Sequence, residues 1–293
     1  MDATERDISL RSRVIAEPPR VRRLLIALAI LHVIVIIGLP FASVFWQAFG
    51  DGLEVFKKMI ASKDAQSAIW LTISLALLAL PLNAIFGTLL AWGLTHVRFP
   101  GRKFIVTLLE LPFSVSPVVV GMLFILLFGL NGYLGVFLRS HGIKVIFAYP
   151  ALLLATLFVT MPFVARELIP LMSDGTATSE EEAARLLGAS WWRIFWKITF
   201  PDIKWGLLYG MILSTARALG EFGAVAVVSG SIRGRTNTLP LHIEALFQDG
   251  DLPAASAAAS LLALVGVVSL VCRIATGRLK KLHQKRLESV KCQ

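Results

Sequence analysis

The chain has 293 residues, of which 56% are hydrophobic and 16% charged, with a formal net charge of +10. A water-soluble domain carries nearer a quarter charged residues, so a mean hydropathy of +0.73 excludes an ordinary soluble fold and leaves one membrane domain. The positive charge does not argue for nucleic acid, because it gathers beside the ends of apolar runs, where anionic lipid headgroups account for it.

A helix that crosses a bilayer needs about 20 mostly apolar residues. Six runs meet that requirement: 24–49, 68–95, 104–130, 150–172, 205–229 and 254–276. Each is too long and continuous for a barrel strand. The expected organisation is a tail over 1–23, an all-α integral membrane domain of six transmembrane helices over 24–276, and a second tail over 277–293. The first run is too long for a signal-peptide core, follows a 23-residue charged tail and lacks a clear A-x-A cleavage site, so it is read as a retained span. Lys and Arg divide 21 to seven between the two sides, with Arg217 inside a run. That asymmetry puts both termini in the cytoplasm. Trp46 and Trp70 then fall near the outer interface, and Trp92 and Trp205 near the inner one.

Within the second run, Asn83 is read as an interhelical hydrogen-bond donor or acceptor rather than a ligand. The third run is interrupted by Leu111-Pro112-Phe113-Ser114-Val115-Ser116-Pro117. Two prolines free backbone carbonyls, which Ser114 and Ser116 are placed to re-satisfy. Irregular backbone at membrane depth is tolerated where it is buried in protein or lines a cavity. The break therefore lines a path or is a packing kink. In the fourth run Pro162 is expected to kink the helix and Pro170 to end it. Small residues in the last run allow close helix packing. Cys272 and Cys292 lie on the inner side, where no disulfide is expected and no metal site is implied. The five histidines are scattered and read as interface and loop residues, His242 near Glu244 included.

The inner loop between the fourth and fifth runs reads Glu182-Ala183-Ala184, three residues, Gly188, nine residues, then Ile198-Thr199-Phe200-Pro201. Ser179 and Glu182 fit a capping box. Glu180, Glu181 and Glu182 would then sit in the first turn, where the helix dipole favours negative charge. Ala183 and Ala184 form helix readily and leave a low surface. Gly188 suits a left-handed stop. A second short helix is expected over 190–198, ended by Pro201. Trp191, Trp192 and Trp196 also suit a headgroup layer, so an interfacial helix with no partner is the other reading.

The fifth run holds the charges expected deepest in the membrane, Arg217 and Glu221. Counted from Trp205, Arg217 lies about 18 Å in at 1.5 Å per residue. Intramembrane charges face the protein interior and suggest function. Arg217 meets a passing anion, gates with Glu221, or forms a structural ion pair with it.

The Glu182–Pro201 spacing resembles the E-A-A-x3-G-x9-I-x-L-P loop of permease subunits of ATP-binding-cassette importers, with Phe200 where that pattern has Leu. Arg217-Ala218-Leu219-Gly220-Glu221-Phe222-Gly223-Ala224 resembles the sulfate, molybdate and tungstate branch, and the stretch from Val227 to Glu244 resembles its W-type sulfate/thiosulfate permeases. The resemblance runs from about residue 68 onward. It implies the type I importer fold with one extra N-terminal span and a coupling loop over 179–201. The coupling residues would be Glu182, Ala183, Ala184, Gly188, Ile198 and Pro201, and Arg217, Glu221, Ser114 and Ser116 would belong to the translocation path or gate. It also implies two cytoplasmic ATPase subunits, a second related permease subunit, an extracytoplasmic sulfate-binding protein and a place in the bacterial inner membrane. The expected activity is passage of an oxyanion by alternating access, driven by ATP used on the partners. The chain has no G-x4-G-K-[ST] phosphate loop and no nucleophile–base constellation, so neither catalysis nor a bound cofactor is expected here. A molybdate/tungstate permease is the alternative, and a secondary anion transporter working without an ATPase is the reading from another class.

Overall fold

The computed structural model describes residues 18–50, 53–97, 99–173 and 175–291, so expectations for 1–17, Arg98 and Cys292 lie outside it. All regular elements among the described residues are helical. The first run is α1 (Pro19–Val33), a π turn (Ile34–Gly38) and α2 (Leu39–Gly50). A short α3 (Leu53–Ala61) leads to the 34-residue α4 (Lys63–His96). The third run divides into α5 (Arg102–Ser114) and α6 (Pro117–Phe128), followed by α7 (Gly135–Ser140). The fourth is α8 (Tyr149–Met172), and the inner loop holds α9 (Gly175–Leu186) and α10 (Trp191–Ile194). A second π turn (Phe195–Thr199) joins α10 to α11 (Phe200–Leu219), which α12 (Gly223–Ser229) continues. After α13 (Leu239–Gln248), α14 (Leu252–Lys291) makes the last run.

Among the described residues, four stretches are long and apolar enough to cross a membrane unbroken: Arg20–Gly50, Lys63–His96, Tyr149–Met172 and Leu252–Gly277. The other two runs complete six only as bent pairs. α5 and α6 meet at 111°, and the helix ending at Leu219 meets α12 at 51°. The sharper bend has a local cause. Val115 (φ −94°, ψ 136°) and Ser116 (φ −58°, ψ 132°) are both non-helical. A proline disfavours helical backbone in the residue before it, and Pro117 follows Ser116. Pro112, Pro162 and Pro170, by contrast, lie inside helices. Pro170 does not end α8, which runs on to Met172.

Both π turns sit one turn before a proline. Pro40 and Pro201 have no N–H to give the carbonyl four residues back. At each site the bonding shifts by one residue instead, so Leu39 N–H reaches Ile34 O and Phe200 N–H reaches Phe195 O. The extra residue lets the helix run through the proline. Pro201 therefore does not stop the second inner helix: α10, the π turn and α11 form one continuous rod into the membrane.

The core is where α4, α8 and α11 pack. Asn83, 1% exposed, gives both amide hydrogens away, to Thr160 Oγ1 and Ser214 Oγ, each at 2.7 Å. That ties the three helices as Asn83 was expected to do. Close approach is set by small residues. A Cβ on Gly210 would lie 3.0 Å from Val164 Cα, and one on Gly87 would lie 2.6 Å from Val164 Cβ. Ala254, Ala257 and Ala258 of α14 pack with Ala48 of α2, Met59 of α3 and Leu239 of α13. Ser256 Oγ donates to Gln47 Oε1 at 3.1 Å across the same contact. The apolar window of the first stretch is 0% buried, which leaves side chains such as Leu24, Leu28 and Ile37 to lipid.

Candidate functional site

The inner loop is a helical hairpin against the end of α4. Its first helix begins at Gly175, so Ser179 lies inside it and cannot be a cap. The capping box expected of Ser179 and Glu182 is absent, and the three glutamates occupy the middle of α9 rather than its first turn. Four residues before Ser179 are themselves helical, and a cap needs non-helical backbone. The far end is as expected. Gly188 has φ +80°. Its N–H donates to Arg185 O at 2.9 Å, and Ala189 N–H donates to Ala184 O at 3.0 Å. These two bonds make a Schellman motif. Glu182, Ala183 and Gly188 are exposed, while Ala184, Ile198 and Pro201 are half-buried.

Glu181 is turned the other way. It is 4% exposed, its Oε1 accepts the Thr199 hydroxyl, and its Oε2 lies 2.7 Å from His96 Nε2. A carboxylate only accepts, so the ring nitrogen carries the hydrogen between them. His96 is also held at Nδ1 by Thr95 Oγ1 at 2.7 Å, and its ring stacks on Trp92 at 5.4 Å. Trp92 in turn meets Trp191 of α10 at 6.4 Å. The sequence reading missed this cluster, taking His96 for an uncommitted loop histidine and giving the motif role to Glu182. The available signal was the doubled acid Glu181-Glu182. Adjacent helical positions point about 100° apart, so the two acids must have different surroundings. Around the cluster the loop presents Leu186 and Leu187, each 89% exposed, with Trp191 at 64%.

The second assembly is at the two helix breaks. Arg217 Nη1 pairs with Glu221 Oε2 at 2.7 Å, with the carboxylate side chain 1% exposed and the guanidinium 33%. Glu221 lies beyond the end of α11, and its Oε1 accepts Ala224 N–H at 3.0 Å at the start of α12. It is thus an ion-pair partner and a cap at once. The break in the third run lies alongside: a Cβ on Gly223 would be 3.0 Å from Pro117 Cβ, and one on Gly121 would be 2.7 Å from Val227 Cβ. Ser114 Oγ donates to Glu110 O at 3.3 Å, which is not a carbonyl that either proline frees: those are Leu108 O and Phe113 O, four residues back from Pro112 and Pro117. Ser116 makes no side-chain cap bond. Both serines are exposed, and no hydrogen bond joins either to Arg217 or Glu221.

The fifth run is not alone in carrying charge. Arg166 and Glu167 belong to α8 and Glu110 to α5. The Arg166 guanidinium lies 4.7 Å from the Phe113 ring centroid beside the break. A cavity of about 760 Å³ is lined by Ile125, Leu138, Arg139, Lys144 and Phe147 among others, and by none of the residues above.

Long apolar helices, two of them broken face to face, with a helical hairpin at one end define an integral-membrane permease. Residues 84–288 match the family described as binding-protein-dependent transport system inner membrane component, and the chain belongs to that family. It is 49% identical over 254 residues to the sulfate transport system permease protein CysW of Synechocystis sp., covering 87% of this chain and 92% of that one. It is 48% identical over 266 residues to CysW of Escherichia coli, covering 90% and 88%. It is 35% identical over 242 residues to the sulfate transport system permease protein CysT of the same organism, covering 83% and 87%. The fold matches a chain in the crystal structure of a bacterial alginate ABC transporter in complex with its alginate-bound periplasmic protein, with a TM-score of 0.71, 21% identity and coverage of 90% and 95%.

Proposed function

We propose that this chain is a membrane-spanning subunit of an ATP-driven importer of sulfate or thiosulfate. The observation that carries the proposal is the 49% identity to a sulfate permease over 87% of the chain. The geometry supplies the mechanism. The Glu182–Pro201 hairpin is the docking surface for a separate cytoplasmic ATPase, with Glu182, Ala183 and Ala184 on its approach side. Its second helix is continuous with α11, so a push on the hairpin reaches Arg217 along one rod. Alternating access then opens and closes the breaks at Ser114–Ser116 and Gly220–Phe222.

Two ATPase copies, a second related permease and an external sulfate-binding protein complete the assembly. The second permease fits the CysT type, to which this chain is more distantly similar. ATP is used on the partners, no cofactor is held here, and both termini face the cytoplasm. High-affinity selection sits in the external protein. Arg217 lowers the cost of admitting a dianion to a low-dielectric path and releases it again.

The test is reconstitution of the assembled transporter in vesicles. Radiolabelled sulfate uptake should require ATP and the ATPase and should be competed by thiosulfate more strongly than by molybdate. Uptake without the ATPase would favour a secondary transporter, and dominant competition by molybdate would move the substrate.

A further inference from the structure

The hairpin is tied to the membrane bundle by a joint that the motif reading leaves out. Three side chains from three elements meet at one buried carboxylate: Glu181 of α9, His96 at the last position of α4, and Thr199 at the end of the π turn. Glu181 is 4% exposed and Thr199 also 4%. The neighbouring Glu182 is exposed and makes none of these contacts.

We infer that Glu181, held by His96 and Thr199, is a positioning residue that carries movement of the coupling helix into α4, while Glu182 is left to meet the ATPase. The division follows from burial and bonding. Two donors converge on an acceptor-only group, and bonds to a charged group are the stronger kind. Removing the carboxylate leaves buried donors without a partner, a larger loss than the bonds alone. α11 is already continuous with the hairpin through the π turn. Glu181 adds a second attachment, to α4, which the Asn83 contact fastens to α8 and α11 at mid-length. One displacement of α9 thus reaches the bundle at two points. Loss of the joint should uncouple hydrolysis from movement of α4 without removing the docking surface.

This inference rests on the docking reading above, and the experiment separates the two. In the assembled transporter, with Cys272 and Cys292 replaced by Ser, spin labels are placed at Arg185 on α9 and Leu89 on α4, both exposed. The expected distance distribution is narrow and unchanged by ATP, because the two helices move together. Glu181→Ala should widen it and let ATP shift it, and should raise ATP hydrolysed per sulfate imported about tenfold, within the range usual for coupling between sites. Glu181→Gln, which keeps one acceptor oxygen, should fall between. His96→Ala combined with Glu181→Ala should be no worse than either alone, as expected of one unit. If Glu181→Ala fails to accumulate, Thr199→Val removes a single donor at constant shape and is read by the same distances. An unchanged distribution in these variants, or additive effects in the double variant, would overturn the joint. If no ATPase co-purifies with the unsubstituted chain, docking fails instead, and the narrow-or-wide distribution in the permease alone still decides the joint.

Discussion

Glu221 serves two partners with its two oxygens, Arg217 Nη1 at 2.7 Å and the Ala224 N–H at 3.0 Å. Deleting Arg217 alone leaves a carboxylate that is 1% exposed without its counter-charge. Breaking one partner of a buried pair costs about 3–5 kcal/mol, so Arg217→Ala should reduce membrane abundance as well as uptake. Glu221→Ala would repair the charge but remove the cap on α12. Glu221→Gln repairs the charge and keeps an acceptor for Ala224. The informative comparison is therefore Arg217→Ala against Arg217→Ala with Glu221→Gln. The double variant should recover abundance but not sulfate uptake, because a path for a dianion has lost its cation. Recovery of both would make the pair purely structural. A second residue-scale test is His242 in α13, between the last two apolar runs. It is 4% exposed, and neither ring nitrogen has a hydrogen-bond partner. Burial, with Arg233 adding to it, holds its pKa below the usual 6.5, against the opposing pull of Asp64 and Asp249. The folded state keeps this ring neutral while the unfolded state protonates it. Its contribution to stability is complete above pH 6.5 and is lost as pH falls toward the lower folded value. The thermal midpoint in detergent should drop between about pH 7.5 and about pH 5.5, and drop less in His242→Gln. Equal drops in the two proteins would exclude His242 as the cause.

Among elements, the hairpin depends on one left-handed residue. A Cβ on Gly188 would meet nothing within 4 Å, so substitution there tests backbone conformation alone. Forcing a β-branched residue to φ +80° costs about 1–2 kcal/mol and weakens the stop between α9 and α10. Gly188→Val should insert normally but lose ATPase association and uptake, whereas Gly188→Asn, which tolerates this conformation, should keep most of both. Equal behaviour of Val and Asn would detach the turn from docking. This glycine was legible in the sequence because its requirement is local. The apolar runs were legible for the same reason, as was the break at Ser116, where Pro117 acts on its nearest neighbour. Other features depended on more than local pattern. Ser179 and Glu182 have the right spacing for a capping box, but cap geometry depends on backbone upstream, which continues as helix. Pro201 looked like a stop because the π turn that absorbs it leaves no mark in composition. The His96–Glu181–Thr199 cluster joins residues 85 and 18 positions apart, and no periodicity reports such a contact.

For the whole molecule, the arrangement follows from where charge and small residues leave the chain free to sit. In the topology proposed from the Lys/Arg split, the hairpin and both termini face the cytoplasm and 230–251 lies outside. The 111° bend between α5 and α6 does not change the number of crossings. Thr95 and His96 at the end of α4 meet Met172 and Glu181 at and beyond the end of α8, so the third run has to cross to reach the start of α8. A thiol probe must also be reachable: Asn237 is only 3% exposed, whereas Arg235 is exposed. With Cys272 and Cys292 replaced by Ser, single cysteines at Arg235, Ser190 and Lys57 should be treated with a membrane-impermeant maleimide from outside intact cells. Arg235 and Lys57 should label, and Ser190 should label only after the membrane is opened. Arg235 labelling with Lys57 protected would separate the start of α4 from Gly234, whose Cβ position lies 3.7 Å from Asp64 Oδ1, and would overturn the six-span topology. The reverse pattern at Arg235 and Ser190 would place the hairpin outside, where it could not reach a cytoplasmic ATPase, and would end the coupling-loop proposal with it.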